Sequence, residues 1–270
     1  MFFEIARAIK EVQPSYVLLE NVKGLFSHDG GRTFGTIIQA LDELGYVTEW
    51  GLFNSKYWGV PQNRERVYIL VTRKDKFKGP VLFDLLKQQT EVTTRLIDVL
   101  EDEVDEKYYL SEEKTKKLTL NEDLSGRLNH YDYKDVDSIH STEKISPTLN
   151  TMQCGDRQPK VAVREATKQG YALAEQGDSV NVSYPTSKTR RGRVGKQVAQ
   201  TLQAGEVNQG VVMNDVRIRK FTAKECWRLQ GFTDEQFYKA KNDGVSNSQL
   251  YKQAGNAVSV PVVDAIVKCL

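Results

Sequence analysis

The chain has 270 residues, 39% hydrophobic and 27% charged, enough apolar material for one large domain or a domain with a smaller module. That content excludes global disorder, and no run of about 18 apolar residues offers a membrane span. The 38 basic residues against 36 acidic ones leave a formal charge of +2, which selects no class of partner by itself.

In chain order, Met1–Arg7 shows neither a basic n-region nor an apolar h-region, so no signal peptide is expected. Phe2, Ile5, Ala6, Ile9 and Val12 recur at helical spacing, and Pro14 ends the helix they predict. Tyr16–Leu19 is a continuous apolar run suited to a strand buried on both faces. Phe34, Ile37, Ile38, Leu41 and Leu44 form a second helical stripe, with Gly45 placed as its C′ residue. Val47–Leu52 and Val67–Val71 read as two more strands. Helices alternating with strands predict a parallel or mixed sheet with covering helices.

The character changes over residues 76–216. An acidic stretch (Asp98, Glu101, Asp102, Glu103, Asp105, Glu106) is followed later by a loop carrying Lys188, Arg190, Arg191, Arg193 and Lys196. Short strand signals between turn residues predict a small, irregular, β-rich module. A weak internal echo pairs Ser146–Thr151 and Val161–Val163 with Ala199–Ala204 and Val211–Met213. At a spacing of about 50 residues it fits two similar hairpins, or simple hairpin grammar. Residues 217–270 return to helices. Thr222 and Glu225 make a capping box, Ser246–Gln249 is a second candidate, and Pro261 suits the first turn of a last helix. The chain therefore divides at 1–75, 76–216 and 217–270.

Several residues are candidates for chemistry. Glu20 follows the apolar run, at the end of a strand where α/β sheets bind ligands; it is either a half-desolvated proton donor or a surface carboxylate. Arg64 and Arg66 share one face if extended; they suit a phosphate or a base carbonyl, or a salt-bridged strand edge with Glu65. Gly255-Asn256 between two helices reads either as a tight turn offering amides to a small molecule or as a plain helix cap. The basic loop reads as a phosphate contact or a solvated surface. Cys154, Cys226 and Cys269 are odd in number and widely spaced, so neither a disulfide framework nor a metal site is expected. A reducing compartment suits them.

Taken in order, these segments resemble the later part of a DNA (cytosine-5)-methyltransferase. Glu20-Asn21-Val22 resembles that family's ENV motif. Gln62-Asn63-Arg64-Glu65-Arg66 resembles its Gln-x-Arg-x-Arg motif. Arg219–Phe232 resembles the segment closing the target-recognition region, and Tyr251–Val258 the final motif beside the cofactor. The implied fold is a partial Rossmann-like, S-adenosylmethionine-dependent methyltransferase domain over 1–75, to which the helices of 217–270 return, with a small irregular β-rich target-recognition domain over 76–216. The implied reaction is methyl transfer from S-adenosylmethionine to C5 of a cytosine flipped from duplex DNA. By resemblance, Glu20 holds the N3 and amino edge of the base. Arg66 holds O2, with Arg64 supporting it or contacting phosphate. Asn256, Ala257 and Val258 line the cofactor pocket. Thr201 contacts the DNA backbone, joined by Arg190, Arg191 and Arg193 of the basic loop.

The chain departs from the family at its start. It has no cofactor Gly-rich loop and no Pro-Cys nucleophile loop, and none of its cysteines follows a proline. Cys226 falls in a predicted helix and is expected to be structural. The resemblance thus implies a truncated fragment, an internal start or one part of a split enzyme. Such a chain has an incomplete cofactor site, no activity alone and a complementary N-terminal polypeptide as partner. A cytoplasmic, nucleoid-associated setting in a prokaryote or phage is expected, without membrane or metal. The alternatives are a non-catalytic DNA-binding protein of the same fold and an RNA cytosine methyltransferase. The long insertion after Arg66, about 140 residues, favours duplex DNA read through the major groove.

Overall fold

A computed structural model describes residues 2–89, 93–120, 160–204 and 207–270. Its helices and strands, in chain order, begin with α1 (Phe2–Val12), β1 (Tyr16–Val22), α2 (Arg32–Glu43), β2 (Tyr46–Asn54), β3 (Gln62–Asn63), β4 (Glu65–Arg73) and α3 (Leu82–Leu86). There follow α4 (Glu112–Leu118), β5 (Lys160–Arg164), β6 (Tyr171–Glu175), β7 (Ser179–Asn181), β8 (Val194–Gly195), β9 (Ala199–Gln200), β10 (Gln209–Val212) and β11 (Ile218–Lys220). The chain ends in α5 (Ala223–Arg228), α6 (Asp234–Asn242), α7 (Asn247–Asn256) and α8 (Val260–Val267). Ser146–Thr151 and Cys154, used above in the echo and the cysteine count, lie outside the described residues. Among the described residues no helix is long and apolar enough to cross a membrane, and no group of three His, Cys, Asp or Glu is placed to hold a metal ion.

Contacts divide the chain into two units. The first is Met1–Gly59, Arg64–Val92 and Val258–Leu270; the second is Val60–Asn63 and Thr93–Ala257. Of the segment 217–270, expected to rejoin the catalytic domain, Val258–Leu270 clusters with the first unit and the remainder with the second.

The first unit is built on a three-stranded sheet in the order β1-β4-β2. β4 pairs antiparallel with β1, from Tyr16↔Thr72 to Val22↔Arg66, and antiparallel with β2, from Tyr46↔Arg73 to Asn54↔Glu65. This corrects the expected parallel or mixed pairing. β4 runs back between the two strands that precede it, so β1 and β2 point the same way but do not pair. Side chains alternate across a strand, and both faces of β4 are buried. Val67, Ile69 and Val71 pack with Ile9, Ile37 and Leu41 of α1 and α2. Tyr68 and Leu70 pack with Leu82, Leu85, Val262 and Ile266 of α3 and α8. β1 departs from its expected burial. Among the described residues it is paired on one side only, its apolar run is half-buried, and it continues through Val22. Glu20 therefore lies inside the strand, opposite Tyr68, and not at its end.

The second unit holds a four-stranded antiparallel sheet, β11-β10-β7-β8, and the hairpin β5–β6. Val161, Val163, Val180, Val212 and Ile218 share its first core. A second core joins α5, α6 and α7 to Leu96, Leu202 and Phe221. The capping box of α5 forms as expected, with Thr222 and Glu225 each bonding the other's backbone N–H. Ser246 caps α7 through Gln249 N. A third cap was not foreseen: Thr233 and Gln236 make the same reciprocal pair on α6.

Candidate active site and nucleic-acid contacts

In the first unit, strand geometry brings Glu20 and Arg66 together. Glu20 faces Tyr68 and Arg66 faces Val22 across the β1–β4 ladder, so Glu20, Arg66 and Tyr68 share the sheet face that carries Leu18 and Leu70. Arg66 Nε lies 3.0 Å from Glu20 Oε1, with the two side chains 16% and 24% exposed. Neither group is sealed in, so the pair can open towards a ligand that offers a donor and an acceptor. Arg66 Nη1 also donates to the Glu65 carbonyl at 2.8 Å.

Arg64 differs from Arg66 in kind. It is buried, and its backbone is fixed: its N–H donates to Asn54 Oδ1 at 3.1 Å, and its carbonyl accepts from Ser55 N at 3.1 Å. Burial, then the like charge of Arg66, lowers its guanidinium to about 10, while Glu20 opposes the shift. It remains a cation at neutral pH. Tyr68, not singled out from the sequence, is pushed up to about 12, first by burial and then by the charge of Glu20. Its signal was available: Tyr68 sits two residues after Arg66, on the same face of a strand.

The expected DNA contacts lie in the second unit. Thr201 Oγ1 donates to the Asn63 carbonyl at 3.0 Å, while β9 pairs in parallel with β3. Gln62, the first residue of the Gln-x-Arg-x-Arg segment, is buried and donates from Nε2 to the Leu229 carbonyl at 3.4 Å. Arg191 is exposed, with Nε donating to the Ala166 carbonyl at 2.9 Å; Arg190 is half-buried. Arg193 is a correction. It is fully buried, and its guanidinium donates to the carbonyls of Asn181, Ser183 and Tyr184. A cation committed to interior carbonyls cannot also meet a phosphate. Lys196 is exposed but paired, with Nζ 2.6 Å from Oδ2 of buried Asp178.

Asn256 is exposed at the end of α7 and Val258 is 37% exposed, with Ala257 half-buried between them. Gly255 is not in a turn: α7 runs through it to Asn256. It is needed because Gln203 and Ala204 pass against it, and a Cβ would lie 2.5 Å from their backbone atoms.

Cys226 is buried in α5, and burial pushes its thiol well up from the ordinary range. Such a thiol is no nucleophile. We expect Cys226 to resist alkylation by iodoacetamide in the native chain and to react after unfolding, while exposed Cys269 is modified in both states. Peptide mapping by mass spectrometry reads this directly, and rapid native labelling of Cys226 would contradict its burial.

Known proteins resemble the chain along almost its whole length. The family model described as C-5 cytosine-specific DNA methylase matches residues 1–270. The orphan methyltransferase M.SPBetaI of Bacillus phage SPbeta is 38% identical over 309 residues, covering 98% of this chain and 68% of that protein. The type II methyltransferase M.SsoII of Shigella sonnei is 33% identical over 269 residues, covering 99% of this chain and 56% of that protein. Among solved structures, the S. pombe Dnmt2 methyltransferase aligns with a TM-score of 0.52 at 20% identity, covering 99% of this chain and 70% of that one. That likeness concerns the fold, which is the α/β fold of S-adenosylmethionine-dependent methyltransferases. With the match running end to end and these relatives above 30% identity, the chain belongs to the C-5 cytosine-specific DNA methylase family.

Proposed function

We propose that this chain carries the base-holding and target-recognition part of a DNA (cytosine-5)-methyltransferase, which methylates C5 of a cytosine flipped out of duplex DNA. The observation that carries the reading is the partly exposed Glu20–Arg66 pair at 3.0 Å. Opened by an incoming base, its carboxyl group holds the N3 and exocyclic amino edge, and the guanidinium of Arg66 holds O2. Charge that builds up on the ring during attack is then met by groups already in place. Arg64, fixed behind them by Asn54, keeps a positive charge near the site at all physiological pH values. S-adenosylmethionine supplies the methyl group when bound. Asn256 and Val258 are not committed to a core, which suits the cofactor contact that we assign to them with Ala257.

We further propose that these 270 residues alone do not turn over. None of the three cysteines follows a proline, and Cys226 is buried and protonated. A complementary polypeptide bearing the Pro-Cys and Gly-rich loops would complete the site. The outer edge of β1, unpaired among the described residues, and the exposed Phe3 and Val12 of α1 suit such an addition.

The test is incorporation of labelled methyl groups into mixed-sequence duplex DNA. The isolated chain is expected to give none above background, and addition of the complementary polypeptide to restore it. In the restored enzyme, Glu20→Ala and Arg66→Ala should each lower kcat by about 100-fold or more. Robust incorporation by the isolated chain would sink the claim of inactivity. Full activity of both variants would remove the base-holding role.

A further inference from the structure

The loop between β7 and β8 is organised in an unusual way. Arg193, fully buried, donates from Nη1 to the carbonyls of Asn181 (3.0 Å) and Ser183 (2.9 Å) and from Nη2 to that of Tyr184 (2.7 Å). The Tyr184 carbonyl also accepts from Ser187 N at 3.0 Å. Tyr184 has φ of 48°, in the left-handed region that a bulky side chain rarely adopts. The residue is nevertheless 73% exposed. An interior cation thus holds an aromatic side chain out into solvent, in a backbone conformation that costs free energy. Burial of the ring does not offset that cost, and strain of this sort gathers at functional sites.

The surroundings of the ring point to a polyanion. A cleft of about 470 Å³ is lined by Tyr184 and Pro185 with Lys114 and Lys220, and among the described residues no acidic side chain lines it. A second cleft, of about 590 Å³, is lined by Pro185–Lys188 with Lys116, Lys117 and Arg164. Its one acidic residue among the described ones, Glu165, accepts from Arg193 N, and Lys117 is paired with Glu113 outside it. An exposed aromatic ring between two cation-lined clefts suits a ligand with flat apolar groups between phosphates. Gln203 and Ala204, just after Thr201, line the first cleft as well.

We infer that Tyr184 is a DNA-contacting residue. Its ring packs against a base of the bound duplex, Arg193 is its positioning residue, and flanking phosphates enter the two clefts. The inference rests on the reading that this chain acts on duplex DNA.

The experiment is fluorescence anisotropy of a labelled mixed-sequence duplex with the full 270-residue chain, at several salt concentrations. The parent chain is expected to bind with an affinity that falls steeply with salt. Tyr184→Ala should weaken binding about tenfold and leave the salt slope and the melting temperature unchanged, because it removes contact area and no charge. Tyr184→Phe should recover most of the loss. Lys188→Ala should instead lower the salt slope by about one. Binding by Tyr184→Ala within twofold of the parent would overturn the inference while leaving the DNA reading intact. A Tyr184→Phe variant as weak as Tyr184→Ala would overturn the ring contact. Absence of salt-dependent duplex binding by the parent chain would overturn both.

Discussion

Glu225→Ala is expected to destabilise the second unit by about 3–5 kcal/mol, the cost of leaving one partner of a buried ion pair alone. Glu225 and Arg219 are both fully buried. The carboxylate accepts from Arg219 Nη1 at 2.9 Å and Nη2 at 2.7 Å, from Thr222 N at 2.8 Å and from Glu101 N at 2.9 Å. Removing it strands a guanidinium in the interior, deprives two backbone donors of their acceptor and dismantles half of the α5 cap. Urea denaturation followed by the fluorescence of the nearby buried Trp227 checks the magnitude. The double variant Arg219→Met, Glu225→Leu should be less damaged than Glu225→Ala, because an apolar pair leaves no buried charge. A loss below about 1 kcal/mol for Glu225→Ala would mean that the pair is solvated in solution.

Gly255→Ala has a sign that separates two explanations. Within a helix, alanine is favoured over glycine by about 1 kcal/mol, so propensity alone predicts stabilisation. The structure predicts the reverse. A methyl group at Gly255 would meet Gln203 C and O and Ala204 N at 2.5 Å, and backbone atoms cannot rotate away as a side-chain tip can. Overpacking of this kind costs about 1–3 kcal/mol. The segment displaced is the one after Thr201, so duplex binding should weaken together with the melting temperature. A more stable Gly255→Ala variant would show that α7 and residues 203–204 lie further apart.

What was legible in the sequence was local. The caps of α5 and α7, Gly45 after α2 and Pro261 in the first turn of α8 are written in neighbouring residues, and the structure contains each of them. The meeting of Glu20 and Arg66 was legible only as order along the family's motifs, since the two residues come from different strands. Antiparallel pairing of β4 with both neighbours was not legible, because periodicity describes a strand and not its direction. The apolar run of β1 suggested burial on both faces, but burial depends on what pairs beside it. Arg193 was misplaced for a similar reason. A run of basic residues records charge, whereas the carbonyls that draw this one inward come from residues 181–184. For Gly255 the local sequence offers a turn or a helix cap, whereas its actual constraint is a backbone about fifty positions away in sequence.

The two-faced burial of β4 bears on how the chain is made. β1 and β2 leave the ribosome without a partner, and neither gains one until Glu65–Arg73 has emerged. Even then one face of the sheet is unfinished. Phe53, Tyr68 and Leu70 lie there against Val262 and Ile266, which follow in sequence only after the whole of the second unit's main segment. The nascent first unit must therefore carry an apolar face covered only in part, by α3, while residues 93–257 are translated, a window in which chaperone capture and misassociation compete with folding.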